Sequence, residues 1–186
     1  MEGITSAEGI VKHEPEKVIV SVFLLTGYDH SAAEWLQKAW RQIHLDSGES
    51  WWLLVPTKNP QSEGQPVDID EELSAELREM YGVTEEQTPC MVFDNFIEEA
   101  QQNVLSLKGD ETLRKNMMLK MSRLIKDEVD KLGDKPRSDR WRRQVTGRVF
   151  NSAQWERAEI KLLHVAKKAA SVLVEKGSGI VLGIPS

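Results

Sequence analysis

Cys90 is the single cysteine in the sequence and therefore its only thiol nucleophile. A thiolate at this position could form a mixed disulfide or sense oxidation. However, cysteine is among the most buried residue types, and Cys90 opens an apolar run, which favours a core side chain. Because a lone cysteine cannot form an intrachain disulfide, the sequence also favours a reducing compartment.

Asp29, His30 and Ser31 supply the three residue types of a hydrolase triad within one turn. Adjacent residues cannot point at each other in triad geometry, and the nucleophile motif G-x-S-x-G is absent. Ser31 and Glu34 instead match the S-x-x-E capping box at the start of a helix. The free N–H groups of that helix start could bind an anion, with Tyr28 and His30 as contacts.

Metal and cofactor motifs are missing from the sequence. The four histidines show neither the HExxH spacing nor the cysteine–histidine spacing of a zinc site. There is no glycine-rich phosphate loop and no dinucleotide fingerprint. We therefore predict no metal and no cofactor; the histidines are His13, His30, His44 and His164.

Four apolar segments are the strands that would position these side chains. Residues 17–25 and 51–55 are separated by a helix, which predicts a parallel pair with a right-handed crossover. Residues 90–93 and 104–107 are closely spaced, which predicts an antiparallel pair. The alternation of strands and helices indicates an α/β fold. Two further helices are predicted to begin after Asp70 and Asp110, whose side chains can cap them.

The element order and two short motifs resemble the thioredoxin fold. One motif is Tyr81-Gly82-Val83, which ends a helix, and the other is Thr88-Pro89, which opens the third strand. The resemblance covers residues 17–133 and implies a thioredoxin-like mixed sheet flanked by helices, with a cis peptide bond before Pro89 that faces a groove. Leu107-Lys108-Gly109 is similar to the final strand and turn of that family. The groove residues that the resemblance implies are Tyr28, Asp29, His30, Ser31, Thr88 and Pro89.

The turn that follows the first of these four strands departs from the thioredoxin pattern. The family's paired cysteines would fall at or next to residues 28–31, where the sequence reads Tyr-Asp-His-Ser. Disulfide exchange needs a thiolate as the attacking group, and neither tyrosine nor serine can supply one. The dithiol chemistry of the family is therefore not expected in this chain.

Charge is distributed unevenly along the chain. Residues 1–134 hold 26 acidic and 13 basic residues, a net charge of −13, whereas residues 135–186 hold 4 acidic and 11 basic residues, a net charge of +7. A change of sign is a reasonable place for a boundary. We predict a flexible N-terminal arm at residues 1–16, the thioredoxin-like domain at 17–133, and a basic helical C-terminal extension with an apolar tail at 134–186.

Two features of the extension could bind partners. Arginine contacts to phosphate and tryptophan stacking on bases would suit nucleic acid. However, the net charge of −6 opposes a polyanion at long range, which favours packing of this patch against the acidic domain or a protein partner over nucleic-acid binding. The second feature is a helix with apolar residues in steps of three and four, a coiled-coil seam of nearly three heptads. The basic patch comprises Arg137, Arg140, Arg142, Arg143 and Arg148, with Trp141 between them. The seam comprises Trp155, Ala158, Leu162, Val165, Ala169 and Val172.

The seam leaves two interpretations open: it packs on its own domain, or it contacts a protein partner or a homo-oligomer. Residues 1–15 lack the features of a secretory signal, and the longest apolar runs are too short to span a membrane, so we expect a cytoplasmic protein. The sequence identifies no enzyme and favours a non-enzymatic interaction or adaptor module on a redox-inactive scaffold. The alternatives are a single-thiol redox enzyme or sensor that uses Cys90, and a nucleic-acid-binding accessory protein.

Overall fold

The fold is α/β: one mixed sheet with helices against both of its faces. The computed structural model describes residues 2–11, 19–47, 50–59, 68–94, 103–131 and 139–177. The strands in these ranges are β1 (Glu2–Ile4), β2 (Ile19–Leu24), β3 (Trp51–Pro56), β4 (Cys90–Asp94) and β5 (Asn103–Ser106). The helices are α1 (Glu8–Val11), α2 (His30–Ser47), α3 (Glu71–Met80), α4 (Glu111–Asp130) and α5 (Asp139–Gly177).

The strands lie in the order β1-β3-β2-β4-β5, so that β2 is central. β2 runs parallel to β3 and antiparallel to β4, and β4 runs antiparallel to β5. The predicted parallel and antiparallel pairs are therefore confirmed. All six residues of β2 are buried because helices cover both of its sides, which explains its nearly continuous apolar sequence. This arrangement is compatible with a thioredoxin-like fold.

The two faces of the sheet carry separate apolar clusters. Alternate strand residues point to opposite faces, and side chains of α2, α4 and α5 join one cluster while α1 and α3 join the other. Four residues of α5 lie in the first cluster, and we call them the inner face of α5: Val145, Val149, Ala153 and Ile160. The first half of the predicted extension is thus part of the core.

Residues 2–11 correct the prediction of a flexible arm. β1 pairs with β3 in parallel, and the Thr57 amide donates to the Ile4 carbonyl at 2.8 Å. Ile4 and Ile10 are buried in the second cluster. Two isoleucines in a polar segment are a weak sequence signal for a strand. They become buried because β1 pairs with the edge of β3, which brings both side chains into the second cluster.

The helix caps agree with the sequence at three positions and disagree at one. The carboxylates of Asp70 and Asp110 each accept from the backbone N–H three residues on, and Gly82 has a φ of 64°, as a glycine after a helix end requires. The capping box predicted at Ser31 is wrong. α2 begins at His30, two residues before the start at Ala32 that a Ser31 cap implies. The Asp29 carbonyl accepts from the amides of residues 32 and 33, which leaves Ser31 inside the first turn.

The arginines from Arg140 to Arg148 belong to α5, which is one helix of 39 residues. Burial of Val145 and Val149 against the sheet stabilises this first part of the helix.

Ser74 of α3 joins the helix to the end of β2. Its hydroxyl donates to the Leu25 carbonyl at 2.7 Å and accepts from the Leu25 amide at 3.1 Å. The side chain is completely buried. Both backbone groups of Leu25 are therefore satisfied by one hydroxyl, which fixes the point where the chain leaves the sheet.

We predict that Ser74→Ala lowers the free energy of unfolding by about 1–3 kcal/mol, because it leaves two buried backbone groups of Leu25 unpaired. Urea denaturation measures the change. Ser122→Ala is the matched control, since the Ser122 hydroxyl donates only to the Met118 carbonyl of its own helix. Equal losses in the two variants would show that the contact between α3 and β2 has no special role.

Candidate functional site

A groove of about 360 Å³ lies where β2 ends and where α2 and α4 begin. Its walls come from the turn after β2, from Thr88-Pro89 before β4, and from Lys108-Gly109 before α4. Tyr28 is 89% exposed at its edge. In α/β proteins ligands bind at the carboxyl ends of strands, so this groove is the first place to look for a binding site.

The turn after β2 is held by the Asp29 carboxylate. Asp29 Oδ2 accepts from the Thr26 amide and from the Thr26 hydroxyl, both at 2.9 Å. The Asp29 amide donates to the Thr26 carbonyl at 3.0 Å. Oδ2 of the carboxylate is therefore engaged in closing the turn.

The Thr88-Pro89 wall has the geometry that the resemblance implied, because the peptide bond between these two residues is cis. The Thr88 hydroxyl donates to the Glu85 carbonyl at 2.8 Å, and the Pro89 carbonyl accepts from the Leu107 amide at 2.6 Å. Gly109, at the third wall, has a φ of 147°, and a side chain there would collide with Leu113. Glycine is therefore required where this wall turns into α4.

Arg114 is a buried cation that links the first turns of α2 and α4. It is 3% exposed. Its Nη1 donates to the Gly109 carbonyl at 2.6 Å, and its Nη2 donates to the carbonyl and the hydroxyl of Ser31 at 3.3 Å each. The guanidinium carbon lies 5.8 Å from the ring centre of Trp35. The guanidinium thus fastens two helix starts together and forms part of the groove.

Burial lowers the pKa of Arg114, because the charged form loses hydration, while the carboxylates of Asp110, Glu111 and Asp29 oppose the shift. The sequence analysis missed this residue. A signal was present: Arg114 precedes three methionines of the α4 core stripe by three, four and seven positions, so it lies on the buried side of the helix. Those residues are Met117, Met118 and Met121.

The structure brings together five of the six groove residues that the sequence suggested. His30 is exposed on α2 and does not line the groove. The charged side chains at the groove are two acids and two bases, which gives no net preference for anions or cations. The five residues are Tyr28, Asp29, Ser31, Thr88 and Pro89, and the charged residues that sequence analysis missed are Glu85, Lys108 and Arg114.

Cys90 lies on β4 with no solvent exposure and packs in the second cluster. Burial raises the pKa of its thiol from 9.0 to about 12, the negative charge of Asp29 adds to the shift, and Arg78 opposes it. The thiol is therefore protonated at neutral pH, and neither a nucleophile nor an oxidant-sensitive thiolate is available at this position.

α5 presents a second candidate surface, on the side away from the sheet. We call Trp155, Ala158, Leu162 and Val165 the outward face of α5; all four are exposed, with Trp155 at 79%, Leu162 at 71% and Val165 at 65%. Of the two interpretations left open for the seam, packing on its own domain does not hold for these residues, because the inner face makes that contact instead. The side chain of Val172 lies outside the described residues.

The basic patch is described only in part. The side chains of Arg140, Trp141 and Arg142 lie outside the described residues, whereas Arg143 is exposed. Arg148, also in this segment, lies 3.7 Å from the Glu128 carboxylate. At least one arginine of the segment is thus engaged with α4.

Two contacts define the direction in which α5 runs along α4. Arg148 contacts Glu128 near the end of α4, and Arg157 Nη2 donates at 3.2 Å to the hydroxyl of Ser106, just before α4 begins. α5 is therefore antiparallel to α4. It continues from Arg157 to residue 177, about 30 Å at the helical rise.

Among the described residues there is no group of three or more histidine, cysteine or acidic side chains arranged to hold a metal ion. No helix within the described ranges is long and apolar enough to cross a membrane. The chain matches no protein-family model, and neither curated proteins nor solved structures give a significant match.

We predict that Cys90 reacts with iodoacetamide at pH 8 at least about 100-fold more slowly in the native chain than in urea, because its raised pKa leaves little thiolate. The neutral thiol stabilises the fold below about pH 9, and that contribution is lost as the pH rises from 9.0 towards 12. Labelling kinetics followed by mass spectrometry measure the ratio. A native rate that levels off near pH 9 would contradict the prediction.

We also predict that Arg114→Lys lowers the free energy of unfolding by about 1.5–3 kcal/mol, because an ammonium cannot reproduce the planar fork that reaches Gly109 and Ser31 together. Urea denaturation measures this loss. Arg123→Lys, on the exposed side of the same helix, is the control and should change stability by less than about 0.5 kcal/mol. A loss no larger than that of the control would contradict the linking role of Arg114.

Proposed function

We propose that this protein is a non-enzymatic protein-interaction module, built on a redox-inactive thioredoxin-like scaffold, and that the outward face of α5 is its contact element. One observation carries the proposal: Trp155, Leu162 and Val165 are exposed together on a helix whose opposite face is packed into the core.

The scaffold part of the proposal is supported by the strand order, by the helix that ends at Tyr81-Gly82 and by the cis peptide bond before Pro89. The redox-inactive part is supported by the absence of cysteine from residues 28–31. The thiol of Cys90 cannot take over that role, because burial keeps it protonated.

The contact part of the proposal is supported by the kind of surface that α5 exposes. Isolated apolar side chains are common on protein surfaces, but an aligned group of large ones marks an interaction site. Tryptophan is enriched at the energetic centres of interfaces, and Trp155 is the most exposed large side chain of the outward face. The sheet and the helices α1 to α4 form the body of the domain, and the inner face of α5 packs on this body. The outward face is therefore held in a fixed direction, which reduces the entropy lost on binding.

Both alternatives from the sequence have less support. A single-thiol enzyme needs an accessible thiolate, and Cys90 has neither exposure nor a lowered pKa. Nucleic-acid binding needs free cations, and Arg148 of the basic segment already lies beside Glu128 in a chain of net charge −6.

The variants that test the proposal have to leave the core intact. Removal of everything after Asp134 would also remove Val145, Val149, Ala153 and Ile160 from the first cluster and uncover the sheet. Single substitutions on the outward face are therefore better than truncation, because Leu162 is 71% exposed and contributes little to the fold.

We predict that Leu162→Glu abolishes partner capture while the fold is retained, because a charge in an apolar interface loses its hydration on binding. Tagged full-length wild type, Leu162→Glu and the control Leu163→Glu are used as baits in the native host, and bound proteins, including untagged copies of the chain, are identified by mass spectrometry. Leu163 is 52% exposed and adjacent, but it does not belong to the outward face. Identical sets of bound proteins with all three baits would refute the proposed contact element.

A further inference from the structure

We infer that the outward face of α5 binds the same face of a second copy of this chain, as a parallel two-stranded coiled coil. Since this face is the contact element proposed above, the pairing rests on that proposed function and names its partner.

The two faces of α5 repeat with different periods. The side chains that contact the body follow one another mostly in steps of four, whereas those of the seam alternate between steps of three and four. An alternation of three and four is a period of 3.5 residues, which keeps a helix in register with a second helix as the two supercoil. The body-facing residues are Val145, Val149, Ala153, Arg157 and Ile160. The seam residues, read from the sequence, are Trp155, Ala158, Leu162, Val165, Ala169 and Val172.

A second α5 is the helix that matches this seam. Among the long helices that the structure describes, α2, α3 and α4 direct their apolar stripes at their own sheet, for example through Leu36, Leu77 and Met121. α5 is the described helix that carries an exposed apolar heptad pattern in addition to its packed face. An interface with two-fold symmetry uses the same patch on both subunits, so one copy supplies the complement of the other.

The seam is large enough for a specific pairing. Residues 155–172 extend for about 27 Å along the helix. Burial of one tryptophan, one leucine and smaller aliphatic side chains from each copy removes about 1,000 Å² from water in total. Specific protein interfaces begin at about this size, so we expect a dissociation constant of about 10 µM or below.

Charges beside the seam select the parallel orientation. The heptad of the sequence assigns Lys161 and Lys168 to g positions and Glu159 and Ala166 to e positions. In an antiparallel pair g positions face g positions, which would bring Lys161 opposite Lys168. In a parallel pair g faces e, and no like charges meet. The acidic bodies attach to the opposite side of each α5, beyond the screening length of about 8 Å at physiological salt.

Sedimentation equilibrium of the full-length protein tests the pairing, with three chains compared at the same salt concentration. The wild type should be a dimer at about 100 µM. Leu162→Glu should raise the dissociation constant at least about 100-fold, because each copy loses an apolar contact and gains a charge at the seam. Leu163→Glu, its exposed neighbour off the seam, should change the constant less than about threefold. Circular dichroism should show the same helix content in all three chains.

A monomeric wild type at that concentration, or a dimer that Leu162→Glu leaves intact, would overturn the inference. The proposed function would survive a monomeric wild type if the capture experiment still recovered a different protein that Leu162→Glu loses. The two proposals therefore fail under different results.

Cross-linking tests the orientation. Ala158→Cys places a thiol at an exposed seam position, and mild oxidation should join two copies through this introduced thiol in the parallel dimer. In the antiparallel pairing of the seam, residue 158 of one copy lies opposite residue 169 of the other. The two residues 158 are then about 16 Å apart along the helix, which is too far for a disulfide. Cys90 is fully buried and should not interfere. A dimer without this cross-link would overturn the parallel arrangement.

Discussion

The complete burial of β2 between two helical layers is the constraint on which the rest of the fold depends. Its residues alternate between two apolar clusters, so each face of the sheet needs its own cover. On one face, α2 and α4 cover only part of the cluster. The inner face of α5 covers the rest through Val145, Val149 and Ala153. The helix is thereby held with its other side towards solvent. Core packing thus determines which apolar residues of α5 are left exposed.

The groove at the end of β2 uses its polar groups to hold backbone in place. Asp29 closes a turn, Ser74 satisfies both backbone groups of Leu25, and Arg114 fastens two helix starts. Each of these groups is buried or engaged, and its hydrogen bonds stabilise the fold. Cys90 directly follows Pro89 of the groove wall, but burial keeps its thiol neutral. The polar groups around the groove thus help to hold the end of β2 and the starts of α2 and α4 in place.

Local sequence patterns predicted a large share of the fold. The caps at Asp70 and Asp110 and the glycine at position 82 depend on neighbours within a few residues, and the structure confirms them. The strand pairs followed from connection length, which chain geometry limits. β1 was missed because a strand of three residues has almost no periodicity, and it forms only where β3 offers an edge. The sequence pattern placed the helix start after Ser31 instead of after Asp29. The turn that lets the helix begin after Asp29 depends on a hydrogen bond from Thr26 to the Asp29 carboxylate, which the S-x-x-E pattern does not include.

The sequence by itself determined the element types, the parallel and antiparallel neighbours, the lack of paired cysteines and the heptad pattern of the last helix. These features depend on residue type and on spacing along the chain. Only the tertiary structure decided that Arg114 is buried beside Ser31, that Cys90 is inaccessible, and that α5 packs through Val149 and exposes Leu162. Those outcomes depend on contacts between residues far apart in sequence. α5 carries two apolar stripes, and only its packing against the sheet decides which of them is buried.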